Sequence, residues 1–166
     1  MKSKNFKLGL YGKKYIDKMY YFDDFRLSET NFAKKISYSE GGIYNFKKIN
    51  NNKLKLYFFE DGRRTVKIIN DKKTSTRTSI LDQIISDNYS KINYAKLDWL
   101  HVSYLDDIEH KHNITFECPT SVDFCNTENR ENYSKIIDRC SLVFDSRERK
   151  SIYKNLNTNT PIILHD

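Results

Sequence analysis

Two adjacent glycines, Gly41 and Gly42 in the stretch SYSEGGIYNF, are the clearest sign of a site in this 166-residue sequence. The chain has five glycines in all, so a pair of them indicates backbone with positive φ, or backbone that lies unusually close to another group. That group is either a neighbouring strand or a ligand. Asn45 follows three residues later, and a tight turn followed by a helix-capping asparagine is the structural alternative.

The histidines and cysteines give weaker signs of chemistry. His110 and His112 are separated by one residue, which is not a zinc-binding spacing, and no Ser/His/Asp or Cys/His signature occurs. Cys118, Cys125 and Cys140 form no CxxC pair, and their odd number indicates reduced thiols of a cytoplasmic protein. We therefore predict neither a catalytic residue nor a metal site among them.

Charge and hydropathy limit the partners of the chain. The net charge is +7, but the basic residues are scattered among 22 acidic ones, which favours a solvated surface over a nucleic-acid-binding face. No apolar run approaches the ~20 residues of a membrane span, and the N-terminus lacks the apolar stretch of a signal peptide. The sequence predicts one cytoplasmic domain over residues 1–166, with no nucleic-acid or membrane partner.

The elements that position these residues differ between the two halves of the chain. The first half alternates polar with apolar residues, as half-exposed strands do. Strands are expected over 6–12, 14–22, 29–38, 53–59, 65–69 and 76–81, with a short helix over 43–51 and a turn at 60–62. The opening strand is expected to end on Gly12.

After residue 95 the apolar runs become continuous, as in strands covered on both faces. Strands are expected over 98–105, 114–125, 141–145 and 161–165, and helices over 129–140 and 147–156. Alternating strands and helices indicate a parallel sheet wrapped by helices. The two halves together predict an α/β core joined to a β lid.

Four sequence motifs in this chain resemble those of a known protein family. GKKYID (12–17), SETN (28–31), GGIYN (41–45) and DSRE (145–148) resemble the Gly-x-x-x-x-Asp, Gly-Glu-Thr, Gly-Gly-x-x-Asn and Asn-x-x-Glu motifs of ribokinase-like (PfkB) carbohydrate kinases, in the same order. Ser28 replaces a glycine and Asp145 an asparagine. The resemblance implies a three-layer α/β core with a mostly parallel central sheet, and a small lid with strands at roughly 14–38 and 53–70.

The resemblance also implies a substrate site. In such kinases the backbone at the paired glycines approaches sugar hydroxyls, and the early aspartate and the asparagine bind the same hydroxyls. Asp17, Gly41, Gly42 and Asn45 are therefore the implied substrate-binding residues, for a sugar, nucleoside or polyol. Glu148 is the implied magnesium-site residue, with a charge that stabilises a helix N-terminus as the structural alternative.

A fainter match concerns Asp123. The stretch SVDFCNTENR (121–130) resembles the Asp-x-Asn-x-x-Arg stretch of fructokinase-like members, with altered spacing. A structural role for Asp123 is an equal alternative.

The family's phosphate-binding and catalytic stretch, Gly-Ala-Gly-Asp, has no counterpart here, because residues 63–166 contain no glycine. A phosphate cradle needs unhindered backbone N–H groups. We expect a truncated chain with the sugar-binding and lid portion of such a kinase and no catalytic residue. ATP and magnesium belong to the family but are not expected to bind this chain.

The alternative function is a non-catalytic ligand-binding or dimerising interaction module. The predicted lid strands are rich in tyrosine and phenylalanine, and half-exposed aromatic strands with open edges need a cover. In either case we expect a homodimer formed through the lid.

Overall fold

The computed structural model describes residues 5–49, 51–126, 130–153 and 156–165. These residues form eight strands: β1 (Phe6–Phe22), β2 (Lys35–Gly42), β3 (Leu54–Asp71), β4 (Thr76–Tyr89), β5 (Trp99–Val102), β6 (Thr120–Asp123), β7 (Leu142–Ser146) and β8 (Ile162–His165). The α-helix among them is α1 (Ser134–Ile137), and the 3-10 helices are Ile43–Lys48, Tyr94–Lys96, Leu105–Asp107, Lys111–Asn113, Arg130–Tyr133 and Arg147–Tyr153. No helix in the described ranges is long and apolar enough to cross a membrane.

All eight strands belong to one mostly parallel sheet. The strand order is β4-β3-β1-β5-β6-β7-β8, and β2 lies beside β1. β1 pairs in parallel with β3 and β5, and the parallel pairing continues from β5 to β8. β2 and β4 run antiparallel to β1 and β3. The predicted α/β fold with a mostly parallel sheet is confirmed.

The long strands β1 and β3 belong to two regions of this sheet. Residues 8–11 of β1 pair with β5, whereas residues 14–21 pair with β2. We call the part built from β5 to β8 and the first halves of β1 and β3 the core sheet. We call the part built from β2, β4 and the second halves of β1 and β3 the extension.

A bulge marks the boundary between the two parts in both long strands. The β1–β3 register shifts between Gly12 and Lys14, opposite a shift at Asp61 and Gly62. The predicted end of the first strand at Gly12 and the predicted turn at 60–62 are therefore wrong. Donors around the Asp61 carboxylate hold the bulge, and the true hairpin turn lies between β3 and β4, after Asp71.

The strand predicted over 29–38 begins only at Lys35. The Asn31 side chain accepts a hydrogen bond from the backbone N–H of Arg26 at 2.9 Å and donates one to the backbone carbonyl oxygen of Arg26 at 2.6 Å. Such local side-chain bonds compete with strand pairing. Similarly, the strand predicted over 114–125 is confined to β6.

The helices of the second half are shorter than the sequence predicts. The segment 129–140 contains the 3-10 helix Arg130–Tyr133 and the four-residue α1, and 147–156 contains the 3-10 helix Arg147–Tyr153. The first segment is rich in Asn, Ser, Tyr, Ile and Asp, which are poor helix formers. These segments still help to cover one face of the core sheet, where Leu100, Val102, Val122, Ile137 and Val143 are buried together.

Candidate functional site

A cavity of about 640 Å³ lies where the extension meets the carboxyl ends of the core strands. Ligands of parallel α/β sheets bind at this end of the strands. The cavity is lined by Tyr15, Asp17, Gly42, Asn45, Val66, Ile68, Arg77, Ser79, Leu81, Tyr104, Asp123, Phe124, Cys125, Asn126, Ser146, Arg149 and His165. Three of the four predicted substrate-binding residues, Asp17, Gly42 and Asn45, are among them.

The fourth, Gly41, touches the carboxylate of Asp17. In the antiparallel β1–β2 pair, Gly41 lies opposite Tyr15 and Asp17 lies opposite Ser39. A Cβ atom at position 41 would lie 2.5 Å from Oδ2 of Asp17, a distance that real Cβ atoms do not reach. The absence of a side chain at Gly41 therefore leaves space for the Asp17 carboxylate. The glycine pair predicted backbone that lies unusually close to another group, and at Gly41 that group is Asp17.

Gly42 has a different reason to be glycine. It ends β2 and precedes the 3-10 helix Ile43–Lys48 with φ 61° and ψ −138°, a conformation that L side chains rarely adopt. A Cβ there would also lie 2.2 Å from the carbonyl oxygen of Lys13. Gly42 is the N-cap residue, so Asn45 lies inside this helix and does not cap it.

The Asp17 carboxylate has no hydrogen-bond donor within the described residues. Burial raises its pKa above the usual value, and the charges of Arg77 and Lys48 offset that rise only in part. A partly buried carboxylate without protein donors is a strong acceptor for the hydroxyl groups of a ligand.

Two stacked tyrosines form another wall of the cavity. The rings of Tyr15 and Tyr104 are nearly parallel, with centroids 5.6 Å apart. The Tyr15 hydroxyl donates to Asp107 at 2.7 Å, and Arg64 pairs with the same carboxylate at 3.0 Å. Burial raises the pKa of Tyr104 to about 12, so its hydroxyl stays protonated at neutral pH. The two tyrosine rings of this wall are therefore uncharged at neutral pH.

Asp123 lines the cavity from the end of β6. Its Oδ1 accepts the backbone N–H of Tyr104, and its Oδ2 lies 3.7 Å from Nε2 of His101. His101 in turn lies 3.0 Å from the Ser121 hydroxyl through Nδ1. Asp123 is thus anchored by the protein, in contrast to Asp17.

Glu148 lies apart from these residues. It lines a second cavity of about 610 Å³ together with Ile162 and Leu164. Side chains alternate along a strand, so these two face away from His165, which lines the first cavity. The structure does not bring Glu148 next to Asp17, and its role at a magnesium ion stays a prediction. The described residues contain no cluster of three metal-ligating side chains.

Asp145, the first residue of the DSRE motif, is fully buried. Its carboxylate accepts hydrogen bonds from Arg130, Arg149 and Tyr153 at 2.6–2.9 Å. Arg149 also donates to the carbonyl oxygen atoms of Phe124 and Cys125 at 2.9 and 3.1 Å, which fixes a loop that lines the cavity. This cluster supports the site structurally.

Sequence reasoning missed the contribution of β4. Arg77, Ser79 and Leu81 alternate along the strand and line the cavity. The sequence predicted a strand over 76–81 that contains these three residues, but it did not indicate that they line a site. Val66 pairs with Asp17 on one side and with Leu81 on the other, so the face that Leu81 shares with Ser79 and Arg77 is the face of Asp17.

No protein-family model and no curated protein sequence matches the chain. Solved structures are similar over most of it. A ribokinase from Cryptococcus neoformans var. grubii in complex with ADP matches 93% of this chain and 61% of its own, with 10% identity and a TM-score of 0.55. A nucleoside kinase from Methanocaldococcus jannaschii matches 93% and 65%, with 13% identity and a TM-score of 0.59. Arabidopsis thaliana ribokinase, solved with ribose and ATP, matches 94% and 65%, with 9% identity and a TM-score of 0.56.

This chain therefore spans about three fifths to two thirds of the length of these structures. At such low identity the similarity shows the fold. The chain has the ribokinase-like fold that its motifs predicted.

Proposed function

We propose that this chain binds a small polyhydroxylated molecule, a sugar, nucleoside or polyol, in the cavity beside Asp17. The observation that carries the proposal is the packing of the Asp17 carboxylate on Gly41, with Gly42 and Asn45 next to it. Carboxylate oxygens accept hydrogen bonds from neighbouring hydroxyl groups, and an amide both donates and accepts. Vicinal hydroxyl groups match this combination.

The reaction that such a site serves in a kinase is ATP-dependent phosphoryl transfer to a hydroxyl group. Among the similar structures, one ribokinase holds ADP and another holds ribose and ATP. The residues of this chain do not fit a magnesium nucleotide. Residues 63–166 have no glycine for a backbone phosphate cradle, and the described part has no metal-ligating cluster. We therefore propose that the 166-residue chain binds its ligand without phosphorylating it.

Self-association through the extension is part of the same proposal. The face of the extension that points away from the cavity carries exposed apolar side chains, including Ile36, Tyr38 and Ile80, which are 46–66% exposed. Such a surface favours a homodimer over a monomer. The three free cysteines support a cytoplasmic location. Replacing Tyr38 and Ile80 by glutamate is expected to shift the dimer to monomer in sedimentation equilibrium. A monomeric wild-type chain would remove this part of the proposal.

The test of ligand binding is a thermal-shift screen with pentoses, hexoses, nucleosides and linear polyols. Hits are followed by calorimetry on the wild type, Asp17→Asn and the control Asp82→Asn. Asp82 lies on β4 but pairs with Lys67, outside the cavity. We expect at least one ligand to stabilise the wild type and the control but not Asp17→Asn. Binding that is unaffected by Asp17→Asn, or no binding at all, would refute the proposal. ATP and magnesium added with the ligand are expected to yield no phosphorylated product.

A further inference from the structure

The charged side chains that line the cavity are not equally engaged. Arg149 donates to Asp145 and to two carbonyl oxygens, and Asp123 accepts a backbone N–H. Asp17 and Arg77 differ from both. Within the described ranges, neither takes part in a hydrogen bond or a close ion pair. The cavity thus offers one carboxylate and one guanidinium to a ligand.

Arg77 is directed toward the cavity by its position in the extension. In the β3–β4 pair it lies opposite Asn70, and Ser79 and Leu81 follow it on the same face. Arg77 lines the cavity, and its positive charge acts there on both Asp17 and Tyr104. It does not close onto Asp17 as an ion pair, which leaves its planar donor groups available.

The Asp17 carboxylate and the Arg77 guanidinium bind different chemical groups, which one ligand can carry at its two ends. Asp17 attracts hydroxyl groups and repels anions. A guanidinium binds a carboxylate or a phosphate through two parallel hydrogen bonds, which a neutral hydroxyl cannot match. A ligand with hydroxyl groups at one end and an acidic group at the other satisfies both.

We propose that Arg77 makes the cavity selective for a polyol that carries an acidic group, with its hydroxyls at Asp17 and its acidic group at Arg77. This inference rests on the proposed polyol binding at Asp17. The acidic group is a carboxylate or a phosphate monoester, since both present the paired oxygen atoms that a guanidinium binds.

The test compares neutral and acidic sugars that are otherwise matched. Calorimetry at low ionic strength measures D-ribose against D-ribose 5-phosphate and D-glucose against D-glucuronate, so the two pairs distinguish phosphate from carboxylate. The proteins are the wild type, Arg77→Gln and Lys67→Gln. Lys67→Gln is a matched control because it also removes one positive charge from the extension. Lys67 pairs with Asp82 and does not line the cavity.

We expect the acidic member of at least one pair to bind the wild type and Lys67→Gln about tenfold more tightly than its neutral partner. Arg77→Gln is expected to lose that advantage and to keep its affinity for the neutral sugar. Equal binding of neutral and acidic sugars, or an advantage that persists in Arg77→Gln, overturns the inference. If the neutral sugar then still requires Asp17, polyol binding stands without acid selectivity. If no sugar binds, both proposals fail.

Discussion

Asp17 in the cavity and Asp61 at the boundary between core sheet and extension are carboxylates that differ in their burial and in their hydrogen-bond donors, and Asp17 is the partly buried one. Asp61 is fully buried and accepts hydrogen bonds at 2.8–3.2 Å from Tyr11, Lys13, His110 and the backbone N–H of Glu109. Burial raises its pKa, but these donors outweigh burial and hold the pKa below the usual value. At Asp17, where such donors are missing among the described residues, burial prevails and the pKa is raised. A carboxylate that accepts hydrogen bonds from the protein stabilises the fold, whereas one without protein donors is available to a ligand.

The Asp61 cluster also sets the position of the extension over the cavity. Lys13 lies in the β1 bulge and Asp61 in the β3 bulge, and the Lys13 ammonium contacts both the carboxylate and the carbonyl oxygen of Asp61 at 3.1–3.2 Å. His110 adds a contact from the loop after β5 at 2.8 Å. The two long strands are therefore fixed to each other and to the core sheet at the level where the extension begins.

The largest expected effect is the difference in unfolding free energy between a variant that lacks the Asp61 carboxylate and one that lacks the Asp17 carboxylate. Asp61→Ala leaves the buried Lys13 ammonium with the half-exposed Glu109, 3.3 Å away, as its remaining carboxylate partner. Breaking a buried pair costs about 3–5 kcal/mol of unfolding free energy. Asp17→Ala is expected to leave stability nearly unchanged, because no protein donor loses its acceptor. Urea unfolding at pH 7 measures both. Equal losses in the two variants would contradict the assignment of the two carboxylates to different roles.

A smaller contrast is expected between the adjacent glycines. Gly42→Ala forces a side chain into a φ of 61° and against the backbone of Lys13, which costs about 1–3 kcal/mol. At Gly41 the obstacle is the end of the Asp17 side chain, which can rotate away. Gly41→Ala should therefore keep most of its stability and lose ligand binding. Thermal unfolding and calorimetry on the two variants separate these outcomes. A Gly41→Ala protein that binds ligand like the wild type would show that the position of the Asp17 carboxylate is unimportant.

The sequence predicted the fold class and the parallel second half, because apolar runs are local signals. The residues that β1 and β2 supply to the cavity were implied by the resemblance of its motifs to those of ribokinase-like kinases. The sequence did not predict the bulges at Lys13 and Asp61, since the donors to Asp61 come from residues 48–50 positions away in the chain. It placed Glu148 at the site through a motif, whereas strand parity puts its neighbours Ile162 and Leu164 on the opposite face from His165. Arg77 was missed because its direction depends on the β3–β4 register.

The smallest effect concerns the pH dependence of the two aspartates. The folded protein holds the pKa of Asp61 below the unfolded value of about 3.9, so ionised Asp61 stabilises the fold above that pH. This contribution is lost as the pH falls through the folded pKa. The pKa of Asp17 is raised, so its ionised form destabilises the folded state above the folded pKa, and the penalty disappears as the pH falls toward about 3.9.

At pH 7 we therefore expect Asp61→Asn to be less stable than the wild type and Asp17→Asn to be slightly more stable. On acidification both differences shrink, but in separate intervals: that of Asp17→Asn above pH ~3.9 and that of Asp61→Asn below it. Unfolding free energies from urea titrations between pH 7 and pH 3 measure the two curves, with Asp82→Asn as the control for the loss of a surface charge. If Asp17→Asn were less stable than the wild type at pH 7, the Asp17 carboxylate would have a protein donor after all. It would then support the fold as Asp61 does, and the cavity would lose the group on which ligand binding depends.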